Sequence, residues 1–411
     1  MTIKKHTLLC RIYLAFCLFS FVSYPLQAQI NDKVFKTDYN INPEQTNELR
    51  IAFDNLNFFK NNEFDSDFLK GYSLPGFRAQ FKLTCQLLDI LRLEAGVHLL
   101  HFWGANKYPN YAYQDIARWK GDQYQKGFHA LPYLRAQLKL SGHFQLIFGN
   151  IYGGANHRLA EPLYNPELNL MADPETGLQL LFHSRFIDVD AWGDWQSFIF
   201  NMDTHQESFV TGLSSRIKYN TEDAVVHFYS PVQALAQHRG GEIDTITINS
   251  VQTLMNGAVG VGAIWNINRG KLKNINVEID ATGYYQQAGS LWPFDNGAGT
   301  YARASANMGD FSINAAYWRC NNFISMLGNP FYGTVSTSKN GLTFKNPQML
   351  ILGVEYSRSF GKGSTFGVDL DIFQHLPATA HTPEGSFCKK ASTSFSAGAY
   401  LRLNTSFLVK R

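Results

Sequence analysis

Hydrophobic and polar residues alternate with a period of two through most of the chain beyond residue 48. In INVEIDATGYY, Ile275, Val277, Ile279, Ala281 and Tyr285 share one face, while Asn276, Glu278, Asp280, Thr282 and Tyr284 share the other. A strand with those faces sets one side against apolar material and the other against water. The same reading holds for GFRAQFKLTCQL, YLRAQLKL, LRLEAGVHL, FSINAAYW, TFGVDLDIF and AYLRLNTSF. Such runs are about ten residues or more, above the five or six usual in soluble sheets and close to what a tilted strand needs to cross a membrane.

Strands are predicted over 49–59, 76–87, 90–104, 129–141, 143–151, 176–183, 186–194, 208–219, 223–236, 253–267, 272–287, 299–308, 310–321, 346–359, 364–376 and 394–408. The total is about sixteen, within a range of about 14–18, and it assumes a turn at His183–Arg185. Short links such as Ser141-Gly142, Gly309-Asp310 and GKG at 361–363 alternate with long ones near 105–128, 152–175, 237–252, 322–345 and 377–393. Short turns at one end and long loops at the other predict an all-β, antiparallel transmembrane β-barrel with periplasmic turns and extracellular loops. A secreted sandwich or repeat protein would also alternate, but strand length, the long-short rhythm and the lack of a repeat period weigh against it.

Composition refines this picture at the N-terminus. Lys4, Lys5 and Arg11, the apolar run Ile12–Tyr24 and the sequence LQAQ form the three parts of a secretory signal, with cleavage expected after Ala28. Residues 29–48 then read as a short lead-in, too small to be a plug domain, and 49–411 as one barrel domain. The signal carries three of the 36 Lys and Arg and none of the 33 Asp and Glu, so 36 − 3 leaves 33 against 33. A neutral mature chain offers no basic grip for nucleic acid. Cys85, Cys320 and Cys388 are odd in number and scattered, which speaks against a disulfide framework or a zinc site.

Across its whole mature length the chain resembles the general porins of Gram-negative outer membranes, in architecture rather than in any diagnostic motif. That resemblance implies export to the outer membrane, a lipid and lipopolysaccharide surround, handling by the barrel-assembly machinery, passage of small hydrophilic solutes without a cofactor, and a homotrimer. It also implies that the third long loop folds into the pore. Here that loop is NHRLAEPLYNPELNLMADPETG, residues 156–177, stiffened by Pro162, Pro166 and Pro174. The expected constriction residues are His157, Arg158, Glu161, Glu167, Asp173 and Glu175. The expected basic wall on the inward parity of nearby strands is Arg78, Lys82, Arg92, Arg135, Lys139 and Arg216, with Lys218 further round.

Other chemistry is thinly supported. His157 has no second His at ligand spacing and no neighbouring thiolate, so neither a metal nor a catalytic residue is expected there. His98 and His101 fall on opposite faces of their strand. Asp203-Thr204-His205 is similar to the Asp-x-His pair of outer-membrane proteases, a pattern common by chance. Tyr108, Tyr111, Tyr113, Trp103 and Trp119, and Trp192 with Trp195, fit an interfacial girdle or a sugar-stacking surface. The expected function is passive diffusion. The alternatives are a barrel that binds a surface partner or glycan through its loops and, behind that, a barrel hydrolase.

Overall fold

The computed structural model describes residues 34–35, 37, 39–103, 128–199, 206–241, 251–361 and 363–410. The signal segment, Tyr108, Tyr111, Tyr113, Trp119 and Asp203–His205 lie outside the described residues.

Nineteen strands are present among the described residues. They are β1 (Leu49–Glu63), β2 (Tyr72–Leu88), β3 (Leu91–Phe102), β4 (Phe128–Lys139), β5 (Phe144–Asn150), β6 (Thr176–His183), β7 (Ile187–Ser197), β8 (Ser208–Lys218), β9 (Val226–Arg239) and β10 (Gln252–Arg269). There follow β11 (Leu272–Ala288), β12 (Asn296–Met308), β13 (Phe311–Asn321), β14 (Thr343–Lys345), β15 (Gln348–Phe360), β16 (Ser364–His375), β17 (Ala378–Thr382), β18 (Gly385–Lys389) and β19 (Ser392–Lys410). Sixteen form a closed antiparallel barrel in chain order, sealed where β1 pairs β19 from Leu49↔Lys410 to Glu63↔Phe395. Closure gives every barrel strand a neighbour on both sides, which a hydrocarbon surround favours because it offers no partner to a free N–H or C=O.

Each predicted strand corresponds to one of these sixteen, including the two divided at His183–Arg185. The sequence reading missed β14, β17 and β18, which form a separate three-stranded sheet within the two long connections nearest the C-terminus. They are only three to five residues long. Segments that short carry too few alternations to register as a period.

Parity sorts the side chains as expected. Along β10 and β11, Val259, Val261, Val277 and Ile279 face outward, with Val261 63% exposed, while Glu278 and Asp280 are buried inside. Turns at one end are tight. Gly309 and Asp310 alone join β12 to β13, and Gly309 has φ +61°, a conformation the reversal requires and L side chains rarely adopt. By the rule for this class, that end faces the periplasm and the loop end faces outside.

The loop end is packed with chain. Residues 64–71, 151–175 and 322–347 turn inward and share an apolar core with the upper strands: Phe68 stacks on Phe344 at 4.0 Å, Phe331 meets Phe64 at 4.7 Å, and Leu163 and Phe323 are fully buried. Residues 34–35 are also buried, Phe35 lying 5.9 Å from the Tyr400 ring. The wall is lowest at β5 and β6, with 7 and 8 residues against 17 and 18 in β2 and β10.

Candidate functional site

The loop between β5 and β6 lies across the interior. A 3-10 turn over Gly154–His157 ends with Arg158 in the left-handed conformation, and a single helical turn, Leu168–Met171, is wholly buried. The chain between them reaches along the ring to β9: Ala160 N–H donates to Gln233 Oε1 (2.8 Å), and Gln233 Nε2 donates to Arg158 O (3.0 Å). Glu167 accepts from Asn62 Nδ2 (2.8 Å) and from the Tyr72 hydroxyl (2.6 Å), on β1 and β2. The loop therefore spans the barrel, fastened at both ends by polar side chains of the wall.

His157 is the tightest of these fastenings. Nδ1 donates to Asp190 Oδ2 and Nε2 to Glu175 Oε2, both at 2.8 Å, and the imidazole stacks on Trp192 at 3.5 Å and 8°. Gln179 Nε2 donates to the other oxygen of Asp190, and Gly154 N–H to the other oxygen of Glu175. Burial alone would push His157 down, but Glu175 and Asp190 outweigh it and raise its pKa to about 10. Glu175 is lowered, since His157 outweighs the burial that would raise it. An imidazolium that donates from both nitrogens has none left to accept a proton, so this residue anchors rather than acting as a base.

The remaining acids of the loop are also engaged. Glu161 accepts from the Tyr332 hydroxyl at 2.5 Å, and Asp173 Oδ1 lies 3.1 Å from His129 Nδ1 on β4. Among the basic positions, Arg78 donates to Asn169 O (3.0 Å), Arg92 to Gln137 Oε1 (2.6 Å) and to the Tyr152 hydroxyl (2.7 Å), and Arg216 lies over the Tyr229 ring. Lys82 and Arg135 both approach Glu94, at 3.7 and 3.3 Å. Lys218 bridges Asp188 and Glu222, and Lys139 ends β4 opposite Gln145.

Sequence reasoning placed Glu278 and Asp280 on a polar face but named no strand acid as part of the wall. Asp54 binds Arg402 (2.7 Å), Glu278 binds Arg303 (3.0 Å) and Asp369 binds Lys60 (2.8 Å), and Glu94, Asp188 and Asp190 lie on the same face. Their signal was available: Arg92 and Glu94 have one parity in LRLE, as do Asp188 and Asp190 in DVDAW. Charged groups held away from bulk water need such partners. Among the described residues no group of three or more His, Cys, Asp or Glu could hold a metal ion.

Three large cavities meet the loop, besides a small one of about 70 Å³ at Glu161–Leu170. One of about 330 Å³ runs from Arg50, Thr84 and Ser406 at the turn end to Asp173–Glu175. A second, about 620 Å³, runs from His143 and His183 to His157 and Arg158, between Asp188 and Asp190 on one side and Arg216 and Arg303 on the other. The third, about 480 Å³, is mostly apolar and lies at the loop end. Tyr164, Leu168, Ala172, Asp173, Pro174 and Glu175 line both the first and the third, so they form the septum between them.

A closed, sixteen-stranded antiparallel barrel with an apolar outer belt and a polar lumen defines an outer-membrane β-barrel. The model of the lipid A 3'-O-deacylase-type family matches residues 41–411, and the chain belongs to that family. Among solved structures it is similar to OccAB4 of Acinetobacter baumannii, with 12% identity over 89% of this chain and 100% of that one and a TM-score of 0.47. It is similar also to OprD of Pseudomonas aeruginosa, with 8% identity over 88% and 94% and a TM-score of 0.46. A loop-deletion form of OmpT of Vibrio cholerae gives 11% identity over 86% and 99% and a TM-score of 0.46. No curated protein matches the sequence.

A histidine whose folded pKa is above its unfolded value adds stability that is complete below about pH 6.5 and lost as pH rises through about 10. The thermal midpoint of the folded barrel should therefore fall between about pH 7 and 10, and His157→Gln should lower it at pH 6 while flattening that slope. Parallel pH profiles for the two proteins would contradict the clamp.

Proposed function

We propose that the barrel is a narrow channel for small hydrophilic solutes, with residues 151–175 as its constriction. The observation that supports this reading most is the pair of polar cavities, about 330 and 620 Å³, that extend from the turn end up to this loop. Both are walled in part by acids and bases held as pairs, among them Lys82 with Glu94 and Arg303 with Glu278, so a polar solute meets fixed dipoles and paired charges along its way. The septum at 172–175 and the packed residues 322–347 leave little width, which suits a selective path better than a wide pore. In a planar bilayer the protein should give single-channel steps, and removing Leu168–Asp173 should enlarge them. Silence from both proteins would overturn the channel.

A second reading is favoured by one particular pair. Asp173 holds Nδ1 of His129 at the septum, beside the apolar cavity. A carboxylate that orients a histidine is the arrangement by which imidazole takes a proton from water. Placed against an acylated lipid, that water would add across an ester and release a fatty acid and an alcohol, the chemistry named in the family's description. Incubation with lipid A, followed by mass spectrometry, should then show loss of one ester-linked acyl chain that Asp173→Asn and His129→Ala each abolish. Lipid A that stays intact with folded native protein would exclude this activity.

A further inference from the structure

The barrel wall is not of even height. β5 has 7 residues and β6 has 8, against 12 in β4 and 11 in β7. At about 3.3 Å per residue and a tilt near 40°, a strand as short as β5 climbs about 18 Å, while the apolar band of such barrels is about 25 Å tall. β4 is laddered to β5 only over Arg135–Lys139, so among the described residues no strand lies beside Phe128–Leu134 on that side. β6 is laddered to β7 only as far as Asp194, which leaves Trp195–Ser197 rising above it. Among the described residues a notch remains at the loop end of the wall, between β4 and β7.

The 480 Å³ cavity occupies this notch, and its lining comes from both faces of the wall. Leu134 and Trp195 belong to the outward belt, 60% and 48% exposed, whereas Val210 and Leu235 point into the lumen and are 2% and 3% exposed. Side chains of opposite parity can line one space only where the wall between them is interrupted. Leu168 and Met171 of the inward loop close its inner side. Its polar groups gather at the inner and upper rim: His157 and Glu175 bind each other, Asp173 binds His129, and Asp194 accepts from Thr176 N–H.

We propose that this notch is a lateral portal that takes one hydrocarbon chain of an outer-leaflet lipid into the wall. The surfaces on both sides, Leu134 with Phe148 and Leu178 with Trp195, already face the bilayer. A chain can thus slide from lipid into the cavity without crossing water, and it covers apolar side chains that the missing strand length would otherwise leave against a void. A hydrated solute finds a poorer match, because the lining is mostly apolar. The volume falls within the usual range for sites that enclose a small ligand. Conduction through the lumen does not use this portal. The lipid-hydrolysing reading would use it, but occupancy needs no turnover.

The test uses the full-length protein in vesicles of phosphatidylcholine with a diazirine at the end of one acyl chain. After irradiation, mass spectrometry locates the adducts. Phe81 and Val261, on the lipid belt, report ordinary bilayer contact. The portal predicts additional adducts on Met171 or Leu168, which are buried within the barrel. Val210→Trp fills the cavity from the wall and should abolish the Met171 and Leu168 adducts while leaving those on Phe81 and Val261. Leu235→Phe does the same from β9 if the first variant fails to fold. Adducts confined to the belt in the native protein, or loop adducts that survive both filled cavities, would overturn the portal. Neither result depends on ion flux or ester cleavage, so failure here is distinct from failure of the functions proposed above.

Discussion

Hydrocarbon cannot satisfy a peptide group, and this one constraint organises the molecule. Every strand in the wall needs a partner on both sides, so the sheet closes, and closure fixes an outer and an inner face for each residue. The outer face is settled by transfer into lipid. The inner face inherits all the polar side chains, among them Asp54, Glu94, Glu278, Arg303 and Arg402, in a space too narrow to hydrate each one freely. They are held in pairs because an isolated charge there would cost several kcal/mol.

The inward loop follows from the same bookkeeping. A segment entering this lumen must bring donors and acceptors that match the wall as well as apolar groups for its own core. Residues 151–175 bring both. Their acids meet Asn62, Tyr72, Tyr332, His129 and His157, and Leu163, Leu168 and Leu170 pack with the residues of 322–347. His157 shows how the sequence disguises such a role. In a soluble protein a histidine beside several carboxylates suggests reactivity, whereas here both nitrogens are committed and the ring is pressed on Trp192.

Much of the fold was legible from period two alone, because the barrel repeats one rule sixteen times. INVEIDATGYY displays its faces without ambiguity, whereas the turn at His183–Arg185 in LLFHSRFIDVDAW had to be assumed and is present between β6 and β7. The position of 156–177 after the fifth strand was legible for the same reason. Side-chain partners were not. Nothing in LRLEAGVHL says that Glu94 will meet Lys82 and Arg135, since register between strands depends on turns and bulges rather than on composition. The notch was hidden as well: 143–151 and 176–183 read as strands, and their shortness matters only beside the longer neighbours that fail to pair with them.

The central claim is that residues 151–175 lie within the barrel and are fastened to the wall at β1, and a crosslink tests it directly. Asn62→Cys and Glu167→Cys would be combined in a chain whose Cys85, Cys320 and Cys388 are replaced by serine. The 2.8 Å contact between the native side-chain ends puts the two thiols within reach of a short bis-thiosulfonate crosslinker and predicts nearly complete bridging in folded, membrane-embedded protein. Efficient folding with no crosslink would place the loop elsewhere and contradict the account.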